Sequence, residues 1–300
     1  ASMFELSSVL ISLDISSFDT SKVTNMKNMF TNCNKLTSLD TSKLKTGKIT
    51  TMEGLFMSCA ELTSVDVSQF ETNNVVSMRS MFNGCTKLRS LNLENFDTSK
   101  VTDFDYFLKD CSSLQNLDTS KFVGTKVTTA AEMFNSCSLL KVIDLSKFNS
   151  QLITSMFSMF SNCASLTSIN LSGLSTTNNI YFDYMFSGCS NLKELNINHF
   201  NTQKAESMKG MFRQAKSLTS LNLYSFNTRN VGSMEGMFEG CTSLTYLNLD
   251  SFEGNEASSI SYMFEDCISL TSINLPKFKT SNLRTMMRAF NNCTSLQYLS

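Results

Sequence analysis

One spacing constrains this chain more than anything else in it. Cys33, Cys59, Cys85, Cys111, Cys137, Cys163 and Cys189 stand 26 residues apart. Ala215 takes the next place, then Cys241, Cys267 and Cys293 follow, and one step back from Cys33 lies Ser7. The period of 26 holds without an insertion or deletion over 300 residues. A fixed period in the range of 20–50 residues is the mark of a solenoid or array. Length alone would suggest two ordinary domains; the repeat replaces that reading with one rod over residues 1–300.

Other columns keep the same register. Leu stands three residues after the Cys column in all twelve turns, from Leu10 to Leu296. Three further on stands Leu, Ile or Val, then Asp or Asn, and later a Phe or Leu such as Phe18, Leu44, Phe70 and Phe96. Before the Cys column runs M-F-x-x-C, as in Met29-Phe30-Thr31-Asn32-Cys33, with Phe107-Leu108-Lys109-Asp110-Cys111 a variant. Met26, Met29, Phe30 and Cys33 follow i, i+3, i+4, i+7, the spacing of one helix face. Thr24 or Asn25 would cap its start. Leu39 and Thr41 alternate with Ser38, Asp40 and Ser42, the period of a short strand. A polar bend such as Asp19-Thr20-Ser21-Lys22 closes the unit. The expected fold is therefore an α/β repeat solenoid, leucine-rich-repeat-like. A parallel strand ladder forms one face, short helices form the other, and about eleven and a half turns stack. At about 4.8 Å per strand the rod is roughly 55 Å long. A single unit cannot offset the ordering entropy of its own backbone, so burial comes from stacking.

The run Leu88-x-x-Leu91-x-Leu93-x-x-Phe96 is a leucine-rich-repeat core. The longer phrase F-D-T-S-K-V-T-x-M-x-x-M-F-x-x-C-x-x-L stands almost complete at 18–36. This resembles the BspA-like class of leucine-rich repeats over the whole chain. The resemblance implies a curved solenoid from an extracellular or cell-surface protein, acting in adhesion through a host or matrix protein or a glycan. It brings no catalytic residues. Where leucine-rich repeats usually place asparagine, this chain places Phe, which predicts a Phe spine through Phe18, Phe70 and Phe96.

Composition excludes several alternatives. Lys+Arg 25 against Asp+Glu 26 provides no basic face for nucleic acid. No run approaches the ~20 apolar residues of a membrane span, and residues 1–10 lack the pattern of a signal peptide. The single histidine, His199, leaves Ser/His/Asp and Cys/His chemistry without its base. The chain is expected to be no enzyme, with no cofactor and no metal site. The cysteine column admits disulfides or a soft metal, since stacked Cα atoms lie within bridging range. Ala215 and Ser7 in the same column favour a small buried side chain instead. The Met columns exchange with Leu55, Phe104 and Ile260, which reads as packing rather than copper ligation. The Thr20, Thr46, Thr72 and Thr98 column raises a water-ordering hydroxyl lattice, broken by Gly124, Ser150 and Gly254.

Two features point to binding. The outward Asp/Asn column begins Asp14, Asp40, Asp66, where neighbouring carboxylates would repel unless Ser or a cation relieves them. Later outward strand positions carry Glu194, Asn196, Asn222, Tyr224, Tyr246, Asn248, Asp250 and Tyr298, a polar aromatic patch on the expected concave face. The ends, Ala1-Ser2-Met3-Phe4 and Tyr298-Leu299-Ser300, show no polar cap. They are expected to belong to a fragment of a longer array, or to join end to end. The alternative role is a spacer or a self-assembling scaffold.

Overall fold

The computed structural model describes residues 1–300 as stacked coils whose 26-residue register is that of the cysteine column. The buried apolar side chains form one cluster of 83 residues from Ile15 to Ala289. Met26, Phe30, Cys33, Leu36 and their equivalents fill its centre. Burying each Phe contributes about 1.5–3 kcal/mol relative to leaving it in water.

The strands are short. They are β1 (Val142–Asp144), β2 (Ser168–Asn170), β3 (Ser220–Asn222), β4 (Tyr246–Asn248), β5 (Ser272–Ile273) and β6 (Tyr298–Leu299). They pair in parallel as β1–β2, β3–β4 and β5–β6, each partner one coil on. A second parallel ladder runs through the segment opening each M-F-x-x-C stretch. It joins Asn25, Thr51, Ser77 and Asp103 onward to Thr285 without a gap.

The expected helices are absent. The M-F-x-x-C segment is a chain of tight turns hydrogen-bonded to its neighbour. The N–H groups of Met26, Asn28, Phe30 and Asn32 donate to Thr51, Glu53, Leu55 and Met57 of the next coil at 2.8–3.1 Å. Those of Met29, Thr31 and Cys33 close turns onto the residue three back. All twelve residues in the Asn28 column and all twelve in the Asn32 column have φ between 50° and 77°. A left-handed residue every four positions stops an α-helix. Two consecutive four-residue turns nevertheless put side chains inward at i, i+3, i+4 and i+7. The spacing is common to both structures, and only the direction of the N–H groups separates them. Asn25 does cap the segment, its Oδ1 accepting the Lys27 N–H at 2.8 Å, but it caps a turn.

The stacked Phe spine lies in a different column from the expected one. Rings of the M-F-x-x-C phenylalanines stack from Phe4 through Phe30 and Phe56 to Phe82, and again from Phe134 to Phe290. Their centroids are 5.4–5.9 Å apart and their planes within 14°. Leu108 breaks the stack, and Phe107 meets Phe82 edge-on there. Phe70 and Phe96 are buried beside this stack rather than forming it.

The Thr column is buried, so it orders no water lattice at the surface. The Thr72 hydroxyl donates to the Asp97 carbonyl at 3.0 Å and accepts the Asp97 N–H at 2.8 Å. Thr46, Thr98, Thr176, Thr202 and Thr228 clamp the next coil in the same way. At Gly124 the next coil moves in to fill the space. A Cβ there would lie 2.8 Å from the Phe148 carbonyl, and the Gly124 N–H donates to that oxygen directly. Ion pairs one coil apart, Lys27–Glu53 at 2.8 Å and Lys209–Glu235 at 2.9 Å, add register more than stability.

Candidate functional site

The thiols are committed to the fold. Every one of the ten Cys Sγ–H groups donates to a backbone carbonyl 29 residues earlier, at 3.0–3.3 Å. In nine cases the acceptor is the Phe of the preceding M-F-x-x-C, and for Cys137 it is Leu108. All ten are free, and nine are buried. Burial pushes the Cys59 thiol up to about 12, with a smaller push from Cys33 beside it. Burial does the same to Cys137, Cys189 and Cys241, again to about 12. A thiol held protonated is a poor nucleophile and metal ligand.

The Asp/Asn column turns the chain as it leaves the strand face. Asp14, Asp40 and Asp66 each accept the N–H of the Ser two residues on, at 2.9 Å. Asn222 and Asn248 accept those of Tyr224 and Asp250 at 3.2 and 3.0 Å. This is the Asx turn. The Ser16 hydroxyl and N–H hold Asp14 below the usual carboxylate range. The Ser42 N–H and hydroxyl do so for Asp40, and the Ser68 hydroxyl and N–H for Asp66. Each carboxylate thus serves its own turn. No group of three or more His, Cys, Asp or Glu side chains gathers in a way that could hold a metal ion. Pro276, two residues after Asn274, has no N–H to offer. Asn274 reaches across coils instead, its amide 3.3 Å from Asp250 Oδ1 and its own oxygen accepting the Ser300 hydroxyl at 2.8 Å.

The aromatic patch falls into two parts. Asn222, Tyr224, Tyr246, Asn248 and Asp250 lie on or beside the paired strands β3 and β4. Ser220 faces Tyr246 and Asn222 faces Asn248 across that pair. Tyr298 lies on β6 opposite Ser272, which places it two coils from Tyr246 in one column. Tyr224 and Tyr246 are each 59% exposed and Tyr298 71%. Glu194 and Asn196 stand apart, exposed in a coil that forms no strand. Asn196 lines a hollow of about 140 Å³ with Ile169, Asn170 and His199, where His199 Nε2 lies 3.0 Å from the Leu171 carbonyl.

Sequence reasoning missed one feature of this face. A shallow groove of about 540 Å³ lies at Leu91, Asn92, Glu94, Asn116, Asp118 and Val142. It opens where the strand ladder fails to continue from Asn116 to Val142. The change from Ser90 and Asn116 to Val142 in one outward column was its only sequence signal.

The geometry defines a class: a repeat solenoid whose thiols and buried hydroxyls hold coils together and whose Asx groups close turns within each coil, with free side chains along one strand face. A family model described as "Mycoplasma protein of unknown function, DUF285" matches residues 1–65, 26–142, 55–172, 131–245 and 218–299. The chain belongs to this DUF285 family. No curated protein matches it. Among solved structures it is similar to a leucine-rich repeat protein from Bacteroides ovatus at 22% identity, covering 93% of this chain and 76% of that one with a TM-score of 0.44. A leucine-rich repeat protein from Eubacterium ventriosum matches at 19% identity over 89% and 73%, TM-score 0.48. A leucine rich cell surface protein from Faecalibacterium prausnitzii matches at 16% over 91% and 75%, TM-score 0.28.

Proposed function

We propose that this chain is a non-enzymatic binding module of a BspA-like bacterial surface protein, with its ligand seated on the strand face of the C-terminal coils. The observation that carries this reading is the exposure of Tyr224, Tyr246 and Tyr298 on β-paired coils over an unbroken core. Large aromatic side chains are enriched where proteins bind. A rigid platform loses little entropy when a ligand lands on it. Ten unpaired cysteines run against the disulfides usual outside the cell, and their burial eases that conflict by holding the thiols protonated. The decisive experiment is the combined change Tyr224→Ala, Tyr246→Ala and Asp250→Ala. Binding to coated matrix proteins or to glycans is expected to fall at least about tenfold, or 1.4 kcal/mol. Binding that survives the triple change rules the patch out. A spacer or self-assembling scaffold makes the opposite forecast. It binds neither kind of ligand, and its particle length grows with concentration in sedimentation.

A further inference from the structure

Given a ligand on this face, as proposed above, its chemical class follows from what the face offers. Over β3 to β6 the outward strand positions are Ser, Asn and Tyr with Pro276, and they carry one charge, Asp250. That carboxylate already accepts the Asn274 amide and the chain's own turn engages Asn248 beside it. No Lys or Arg stands among these positions. A charged partner therefore finds no countercharge here. An apolar protein surface finds no aliphatic groove either, only rings separated by hydroxyls and amides. We propose that the ligand is an extended, uncharged polysaccharide lying along the solenoid axis.

Three observations fit that class. Sugar rings present polarised C–H faces, which suit the negative π-face of an exposed Tyr ring. Their hydroxyls need donors and acceptors together, which the amide N–H groups of Asn222 and Asn248 and the hydroxyls of Ser220, Tyr224, Tyr246, Ser272 and Tyr298 supply. The third is periodicity. Coils repeat at about 4.8 Å, so Tyr246 and Tyr298 stand about 10 Å apart along the axis, with the Asn column running beside them. A polymer with its own short repeat can meet an amide or hydroxyl at each coil and a ring at alternate coils. Weak contacts then add along one chain, as in other multivalent binding.

The test is affinity electrophoresis of the full chain in native gels. The gels contain soluble β-glucan, galactomannan or α-mannan, and wells coated with collagen or fibrinogen are assayed in parallel. At least one neutral polysaccharide is expected to retard the chain. The retardation should change less than about twofold between roughly 50 and 500 mM NaCl, because no ion pair is involved. Tyr246→Ala with Tyr298→Ala should weaken it about tenfold. Asp40→Asn with Asp66→Asn, on the other half of the face, should leave it unchanged. Unaltered thermal unfolding of the exposed-Tyr variants separates lost contact from lost fold. Failure of every neutral polysaccharide to retard the chain overturns the inference. If a coated protein is then bound and the Tyr variants abolish that binding, only the ligand class was wrong. If no probe binds, or if binding survives the Tyr variants, the binding reading falls as well.

Discussion

The two halves of the strand face share one core and behave differently. Across residues 1–141 this face makes a single bridge, Ser90 to Asn116. Across residues 142–300 it makes three strand pairs. The opposite ladder, Asn25 to Thr285, runs through both halves unbroken, so coil stacking is not what differs. The Asp/Asn column does differ. Each step that sets Asp against Asp, at 14–40, 40–66 and 118–144, lacks a strand pair. Each pairing occurs at a step with no more than one Asp: Asn92 to Asp118, Asp144 to Asn170, Asn222 to Asn248 and Asn274 to Ser300. Like charges directly opposite across a ladder destabilise it. The negative charge of Asp14 works against ionisation of Asp40, and that of Asp40 against Asp66. Neutrality is not sufficient, since the Asn170–Asn196 and Asn248–Asn274 steps are also unpaired. The core sets the stack, and outward charge marks the Asp–Asp steps, all of which stay open.

The largest expected effect tests the shared part of that comparison. Phe56→Ala and Phe212→Ala remove equivalent, fully buried rings from the two halves. Each should cost about 3–5 kcal/mol in urea unfolding. Costs that differ twofold or more would show that the halves do not share one core energetically. Next comes the buried clamp. Thr72→Val and Thr202→Val each strand a backbone N–H and carbonyl of the next coil. A loss of about 1–3 kcal/mol is expected in either half, read from the denaturation midpoint.

The charge rule itself is a smaller effect. Asp40→Asn with Asp66→Asn should raise hydrogen-exchange protection around Leu39 and Val65, where the like charges face each other. The reverse pair, Asn222→Asp with Asn248→Asp, should open β3–β4. Exchange that is unmoved in both variants would remove charge as the cause of the difference. The smallest effect is in pH. Asp14, Asp40, Asp66 and Asp118 are held below the ordinary value of 3.8 by their Ser partners. A carboxylate with a depressed folded-state value contributes stability above its unfolded value and loses it as pH falls through the folded one. The N-terminal coils should therefore loosen first below about pH 4. Exchange protection that falls equally in both halves would contradict this.

Much of the core was legible because a solenoid repeats its environment. Met26, Phe30, Cys33 and Leu36 are inward and so are their equivalents through the inner coils, so each column is many readings of one position. The patch was partly legible. Tyr224, Tyr246 and Asp250 do come together on β3 and β4, while Glu194 does not join them, because no strand forms in its coil. The groove at Leu91 and Val142 was nearly hidden, since the change from Asn116 to Val142 in one column does not by itself mark an unpaired step.

The sequence by itself determined the period, the inward columns and the one-coil register, because burying twelve copies of one apolar pattern admits little else. Only the tertiary structure decided where the backbone hydrogen bonds go. The spacing of Met26, Met29, Phe30 and Cys33 suits a helix or a run of tight turns equally. A neighbouring coil that offers carbonyls to Asn28, Phe30 and Asn32 draws those N–H groups outward along the axis. It also turned a column of threonines into clamps, and moved the ring stack from Phe70 to Phe56. Side-chain spacing is a property of one coil; hydrogen-bond direction belongs to two coils in contact.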